Sequence, residues 1–350
     1  MNPRENFLRA IRFEKPEYIP MTFHINDACW NAYPQDFLVG LMETHPFLFP
    51  GFSPPTLPYI PEYAPEAKAD SPFLDDWGCL WQTTEDGITG IVTKHPLADW
   101  EAFDSYRAPD PDHCSGLGPI DWEEEARRLA RRKAAGLPAT GGLRHGHTFL
   151  QLCDIRGYEN LIYDMADDEP RLHELIAILE DFNRGIVEHY LAIGVDAMAY
   201  PEDLGMQSGP LISPDMFSSF ILPSYTRLME PSRRKGIPVH MHSDGYVRDL
   251  VDLLISGGVD LINLQDLVNG IEWIAGRFAG KTCVELDIDR QSVTVSGTPR
   301  EIDDLIDRET RALGRREGGL MMIFGLYPGT PLENVQALMD AMERYAFRFS

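Results

Sequence analysis

Short apolar runs alternate with longer segments of helical periodicity along most of the chain. Strand-like runs occur at residues 18–25, 139–147, 195–201, 236–245, 259–264, 282–286 and 320–324. Between most of them, apolar side chains recur at helical spacing, as at Leu172, Leu175, Ile176 and Leu179. This order is typical of parallel βαβ units. We predict an α/β fold, a (β/α)8 TIM barrel formed by residues 1–350 as one domain, although the pattern identifies only seven of the eight strands.

A doubly wound sheet is the alternative fold for this pattern. However, no Gly-x-Gly-x-x-Gly segment follows the early strands, and no Walker motif occurs. The first residues predict an N-terminal helix, because Asn2-Pro3-Arg4-Glu5 combines a helix cap, a first-turn proline and a glutamate three residues after the cap. We therefore favour the barrel.

Residues 31–120 form a proline-rich insertion. They contain 13 of the 27 prolines, which excludes long regular elements. Within this segment, Glu85-Asp86-Gly87 separates two apolar runs and predicts a β-hairpin turn. Its aromatic residues argue against disorder, so we expect the insertion to fold as a lid over a site at the barrel mouth.

The composition narrows the class of protein. With 31 basic and 55 acidic residues, the formal charge is -24, which disfavours nucleic acid and anionic membrane surfaces as partners. The first residues lack a signal-peptide pattern and no apolar run is long enough to span a bilayer, so we expect a cytoplasmic protein. The five cysteines include no Cys-x-x-Cys pair, which argues against disulfides and a zinc knuckle.

The sharpest chemical signal is the strand end at His240, His242 and Asp244. Side chains alternate along a strand, so these three residues should share one face. Two imidazoles and a carboxylate in one small volume suggest a metal or catalytic site. The alternatives are a core histidine bonded to the backbone and, for Asp244, an ordinary helix cap.

Other polar residues follow the remaining strands and are candidates for the same site. Catalytic roles are predicted for His242, Asp244 and Arg144; substrate binding for His24, Asn26, His145, Tyr200, Gln207, Asn263 and Asp287; and metal ligation for His242, Asp244, Glu202, Asp203 and His240. Barrel enzymes carry their active-site residues at these strand ends. In so acidic a chain, the same carboxylates are also explained as solvated surface groups, and Asp289-Arg290 as a surface ion pair.

Several segments together resemble the uroporphyrinogen decarboxylase superfamily. They are the stretches 4–13, 199–207, 212–217, 242–245, 289–291 and 330–335. The resemblance extends over nearly the whole chain and implies a (β/α)8 barrel. It also implies one of two activities, which are cofactor-free decarboxylation of porphyrinogens and zinc-dependent methyl transfer to or from a corrinoid protein.

This chain departs from both branches of the superfamily. Residues 21–27 contain no arginine where the decarboxylases carry an arginine-rich stretch, and a polycarboxylate substrate needs several fixed cations. The sequence His242-Ser-Asp244 stands where the methyltransferases have His-x-Cys, and Leu326 stands where they have a late cysteine. Any zinc ligands are therefore expected to be nitrogen and oxygen atoms.

The resemblance, together with the missing arginine-rich stretch, implies a corrinoid-linked methyltransferase that acts on a small methylated substrate, with zinc as Lewis acid and a corrinoid protein as partner. The resemblance also suggests a homodimer. The first alternative is a cofactor-free decarboxylase that holds a carboxylate with Arg144 and protonates through His242 or Asp244. The second is a non-catalytic ligand-binding barrel.

Overall fold

The computed structural model describes residues 1–350 and shows a curled parallel sheet surrounded by helices. The strands are β1 (Met21–Ile25), β2 (Phe73–Leu74), β3 (Leu80–Gln82), β4 (Ile91–Lys94), β5 (Thr140–Gly142), β6 (Ala197–Asp203), β7 (Val239–Asp244), β8 (Leu261–Gln265), β9 (Cys283–Asp287) and β10 (Leu320–Leu326). The helices are α1 (Pro3–Arg12), α2 (Cys29–Ala32), α3 (Gln35–Thr44), α4 (Trp122–Ala134), α5 (Phe149–Arg156), α6 (Tyr158–Asp167), α7 (Pro170–Ile193), α8 (Pro214–Met216), α9 (Leu222–Arg234), α10 (Val251–Gly257), α11 (Asp266–Asn269), α12 (Ile271–Phe278), α13 (Val293–Ser296), α14 (Pro299–Leu313) and α15 (Leu332–Ala346). No helix combines the length and apolar character needed to cross a membrane.

The main sheet has the order β1-β10-β9-β8-β7-β6-β5, and all neighbouring strands are parallel. The predicted α/β class and the strand assignments agree with this sheet. The predicted eighth strand is absent, because the chain between β1 and β5 contains only β2, β3 and β4, which pair antiparallel with one another. The sheet is therefore a seven-stranded partial barrel with β1 and β5 at its edges.

Helix α1 begins as its sequence predicts. The Asn2 side chain accepts a hydrogen bond from the Glu5 amide, and Pro3 occupies the first turn. Arg4 then forms a forked ion pair with Asp196, with 2.8 Å between Arg4 Nε and Asp196 Oδ2. The Asp196 side chain is nearly buried and lies just before β6. This pair fixes α1 against the amino-terminal end of the sheet.

The insertion 31–120 is packed against the barrel. The predicted hairpin is present as β3 and β4, with Asp86 and Gly87 in the turn region between them. Trp77 and Trp81 are buried in the same hydrophobic core as the barrel strands. Buried Asp75 accepts hydrogen bonds from two backbone amides and from the Trp81 indole. The insertion thus has an ordered framework that rests on the barrel.

Candidate active site

A cavity of about 1000 Å³ lies at the carboxyl ends of the barrel strands. Its floor is formed by inward-facing residues of β1, β6, β7, β8, β9 and β10. Residues Glu66, Trp81, Thr89 to Val92 and Leu117 of the insertion also line it. The barrel and the insertion thus both contribute to the lining of the cavity.

Strand β7 supplies three polar side chains to this cavity. His240, His242 and Asp244 all line it, while the intervening Met241 and Ser243 are buried on the opposite face. This alternation is the one that the sequence predicts for a strand. The backbone of β7 therefore places two imidazoles and one carboxylate on the same wall.

Strand β6 follows the same alternation, and this corrects two predictions. Asp203 lines the cavity, but Tyr200 and Glu202 are completely buried on the outer face of the strand. The Tyr200 hydroxyl donates a hydrogen bond to the Leu228 carbonyl of α9 at 3.0 Å. Tyr200 is therefore a packing residue, contrary to the predicted substrate contact.

Glu202 is committed to the start of α5, contrary to its predicted role as a metal ligand. Its carboxylate accepts hydrogen bonds from the amides of Thr148, Phe149 and Leu150 at 3.2, 2.8 and 3.1 Å. The Tyr225 hydroxyl also donates to it. Burial raises the pKa of Glu202, and these hydrogen bonds act in the opposite direction. Glu202 thus holds the loop that carries Arg144 and His145 beside β6.

His145, Asp203 and His242 converge at the mouth of the cavity. Asp203 Oδ1 lies 3.3 Å from His145 Nε2 and 3.5 Å from His242 Nε2. The three potential ligand atoms all lie within 4.8 Å of one another. Tetrahedral zinc with bonds of about 2.0 to 2.1 Å separates its ligand atoms by roughly 3.3 Å. The two imidazoles and one carboxylate therefore fit a catalytic zinc site that keeps a position open.

Electrostatic coupling within this group is strong. Burial alone would lower the pKa of His242, but Asp203 and Asp244 raise it to about 9. Burial would likewise raise the pKa of Asp203, but hydrogen bonds with His145 and His242 hold it far below its usual value. In the absence of a metal, an imidazolium at His242 thus stabilises the ionised Asp203.

A second group of possible ligands is already occupied by an arginine. His242, Asp244 and Asp287 also approach one another closely enough for a shared ion. However, the Arg290 guanidinium lies 2.9 Å from Asp244 and 3.0 Å from Asp287. Burial raises the pKa of Asp287 to about 7 even though Arg290 opposes the shift. The group around Asp203, which has no arginine, is the better metal site.

Arg144 lines the cavity, but its charge is already neutralised. It lies 3.0 Å from the Asp154 carboxylate, and it also donates to the Gln151 side chain and to the His145 carbonyl. The guanidinium carbon lies 5.6 Å from the centre of the Trp81 ring. Arg144 therefore has fewer free donors for a substrate carboxylate than its sequence position implied.

The predicted substrate residues divide into two sets. His24, His145, Asn263 and Asp287 line the cavity. Asn26 and Gln207 do not: the Asn26 side chain accepts from the Ala28 amide at 2.8 Å, next to α2, and Gln207 is exposed in the loop after β6. These two predictions do not fit the structure, because the chain turns away from the cavity once each strand has ended.

Two residues of the cavity, Arg290 and Glu285, contact predicted site residues although the sequence assigned them no role in the site. Arg290 bonds the carboxylates of Asp244 and Asp287, whereas Asp289 turns away and accepts hydrogen bonds from the Ser292 and Thr294 amides beside α13. The interpretation of Asp289-Arg290 as a surface ion pair is therefore wrong.

Glu285 is the other such residue. It extends into the cavity from β9, and its Oε2 lies 3.1 Å from His240 Nε2. The available sequence signal was position alone, since Glu285 stands two residues before Asp287 on a predicted strand.

The charge of the lining is strongly negative. Six carboxylates line the cavity, namely Glu66, Asp154, Asp203, Asp244, Glu285 and Asp287, together with four histidines and the two arginines Arg144 and Arg290. With His242 protonated and the other three histidines counted as neutral, the formal charge is 3 minus 6, or -3. Such a cavity attracts cations and repels anionic substrates.

A barrel-like parallel sheet with a polar cavity at the carboxyl ends of its strands is the architecture of TIM-barrel enzymes. The model of the uroporphyrinogen decarboxylase (URO-D) family matches residues 74–345. The chain therefore belongs to this family. No curated protein sequence matches the chain.

One solved structure is similar to this chain over its whole length. The chain is similar to a methyltransferase from Methanosarcina mazei, with 16% sequence identity, 99% coverage of both chains and a TM-score of 0.69. A B12-independent methionine synthase from Shewanella sp. W3-18-1 shows 16% identity over 66% of this chain and 68% of its own, with a TM-score of 0.41. At such identity, the first likeness establishes the shared fold of the whole chain.

Proposed function

We propose that this protein is a metal-dependent methyltransferase that exchanges a methyl group between a small substrate and a corrinoid carried by a partner protein. The observation that carries the proposal is the convergence of His145, Asp203 and His242, whose potential ligand atoms lie within 4.8 Å of one another in the cavity. The likeness to a methyltransferase from Methanosarcina mazei favours this branch of the family.

The proposed metal is zinc, held by His145, Asp203 and His242. When bound, it acts as a Lewis acid on the heteroatom that gives or receives the methyl group. All five cysteines are free, and none of them lines the cavity. A set of two imidazoles and one carboxylate is a known catalytic zinc set and leaves room for a substrate atom.

The proposed substrate is a small neutral or cationic methyl donor. Even with one divalent ion bound, the lining keeps a formal charge of about -2, since the six carboxylates exceed the two arginines by four. A porphyrinogen with many carboxylates is disfavoured by this charge. A decarboxylase is further disfavoured because Asp154 and Gln151 already occupy Arg144, its predicted carboxylate anchor.

The test begins with zinc titration of metal-free protein by calorimetry. We expect stoichiometric binding to the wild type and its loss in the variants His145→Ala, Asp203→Ala and His242→Ala. Asp244→Ala is the matched control, because Asp244 belongs to the group that Arg290 already occupies, and this variant should retain zinc. Loss of zinc in His242→Ala and Asp244→Ala, with binding retained in His145→Ala and Asp203→Ala, would move the site to the second group.

Activity is tested with zinc-loaded protein, reduced cobalamin in place of the partner protein, and methylated amines, ethers and thioethers. Methyl transfer is followed by the change in cobalamin absorbance. Transfer that disappears in Asp203→Ala supports the proposal. Absence of zinc binding and of transfer in the wild type would refute it and favour the non-catalytic ligand-binding alternative.

A further inference from the structure

Three polar residues form a continuous row across the floor of the cavity. His242 on β7 pairs in register with Asn263 on β8, and Asn263 pairs in register with Glu285 on β9. All three side chains line the cavity. Because residues in register on parallel strands lie side by side, their side chains meet on the same face. The row therefore connects a proposed metal ligand to two residues that do not touch the metal position.

The hydrogen bonds in this row fix the orientation of the Asn263 amide. Asn263 Nδ2 lies 3.0 Å from the backbone carbonyl oxygen of Glu285, which can only accept a hydrogen bond. Glu285 Oε2 is also within 3.3 Å of the same nitrogen. The amide nitrogen must therefore face β9. Its oxygen, Oδ1, is left facing His242.

The orientation of Asn263 determines which nitrogen of His242 carries a proton. His242 Nδ1 is hydrogen-bonded to Asn263 Oδ1, and this oxygen can only accept. His242 Nδ1 must therefore donate. In a singly protonated ring, the lone pair is then on Nε2, the atom that faces Asp203. This tautomer is the one required for a metal between His145, Asp203 and His242.

We propose that Asn263, held by Glu285, is a positioning residue that fixes the tautomer and ring orientation of His242 for metal binding. The inference rests on the proposed function, since it concerns the same metal site. A metal-bound histidine generally donates its other N–H to a neighbouring acceptor, and loss of that acceptor weakens metal affinity. Here the acceptor is a neutral amide whose direction is set by the adjacent strand.

The experiment compares two substitutions at one position. Asn263→Leu has similar volume but offers no acceptor, and we expect its zinc affinity to fall by about 10- to 100-fold. Asn263→Asp keeps an acceptor for His242 Nδ1 but sets a carboxylate against Glu285, so it is combined with Glu285→Gln, whose amide can donate to the new carboxylate; most of the affinity should remain in this double variant. Thermal unfolding of both variants checks that the barrel is folded. A purely structural role would weaken both variants in proportion to their loss of stability.

A second measurement reports the tautomer directly. In zinc-loaded protein with ¹⁵N-labelled histidine, NMR should show His242 with the metal at Nε2 and a proton at Nδ1. Metal at Nδ1 would overturn the inference, as would an Asn263→Leu affinity within twofold of the wild type. If the wild type binds zinc and Asn263→Leu binds equally well, only this inference fails. If the wild type binds no zinc, the proposed function fails with it.

Discussion

Replacement of Glu202 tests whether two adjacent carboxylates on β6 have different roles. Glu202 is completely buried and accepts three amide hydrogen bonds at the start of α5 together with one from Tyr225. Asp203 faces the cavity beside His145 and His242. We predict that Glu202→Gln and Glu202→Ala lower the free energy of unfolding, and that Asp203→Asn lowers zinc affinity.

The loss of stability in the Glu202 variants depends on the number of hydrogen-bond donors that lose their acceptor. Each hydrogen bond to a charged group contributes about 1.5–3 kcal/mol, but burial of the carboxylate offsets much of the sum. Truncation leaves three buried amides and the Tyr225 hydroxyl without this acceptor, at about 1–3 kcal/mol each before the site relaxes, so we expect about 4 kcal/mol for Glu202→Ala. In Glu202→Gln the amide group faces at least one N–H donor of α5, and we expect a loss of about 2 kcal/mol.

These losses are measured by urea unfolding and by the midpoint of thermal unfolding. At about 2 °C per kcal/mol for a chain of this size, the midpoint should fall by about 8 °C in Glu202→Ala and about 4 °C in Glu202→Gln. Asp203→Asn keeps an oxygen that can accept from the His145 and His242 rings, so it should cost less stability than Glu202→Ala. The reasoning is refuted if Glu202→Gln unfolds like the wild type and loses zinc.

Three further predictions concern charge. Calorimetry can compare three ligands of similar shape, namely choline, its uncharged tert-butyl analogue and the matching tert-butyl carboxylate. The carboxylate should bind at least about tenfold more weakly than the other two, because the cavity lining is negative. Equal binding of all three would contradict this. Burial raises the pKa of Glu309 well above its usual value, and the nearby Asp266 carboxylate raises it further. The folded protein therefore holds the Glu309 proton more tightly than the unfolded chain does. The stability that this proton contributes is fully present below about pH 4 and is lost as the pH rises. Urea unfolding between pH 5 and 9 should show this decline in the wild type and a flatter profile in Glu309→Gln. Arg4→Ala should lower the free energy of unfolding by about 2 kcal/mol because it leaves Asp196 buried and unpaired. Burial raises the pKa of Asp196 but Arg4 lowers it overall, so this loss of stability should shrink as the pH falls. The exposed control Arg9→Ala should lower it by less than about 0.5 kcal/mol.

Strands β6 and β7 both carry polar side chains at their carboxyl ends, but the sequence predicted the inward-facing residues of only one of them. Strand alternation placed His240, His242 and Asp244 on one face, and the cavity lies on that face. The same rule applied to β6 shows that Glu202 and Asp203 cannot both face one cavity. The sequence did not indicate which of them does, because both are acidic and both follow an apolar run.

The sequence by itself determined the properties that depend on neighbouring residues. Periodicity predicted the alternation of strands and helices, cap residues predicted the start of the first helix, and turn residues predicted the hairpin at Asp86-Gly87. Residue types excluded thiolate ligands from the His242-Ser-Asp244 position. These features are local, since they depend on backbone geometry over a few residues.

Only the tertiary structure decided which distant residues meet. Pairing of β7 with β6, and the anchoring of the loop after β5 by Glu202, bring His145 to Asp203 and His242. The ion pair between Arg290 and Asp244 and the order of the seven-stranded sheet likewise depend on contacts between segments far apart in the chain. The physical reason is that strand pairing and helix packing fix which face of each element is enclosed, and no local pattern contains that information.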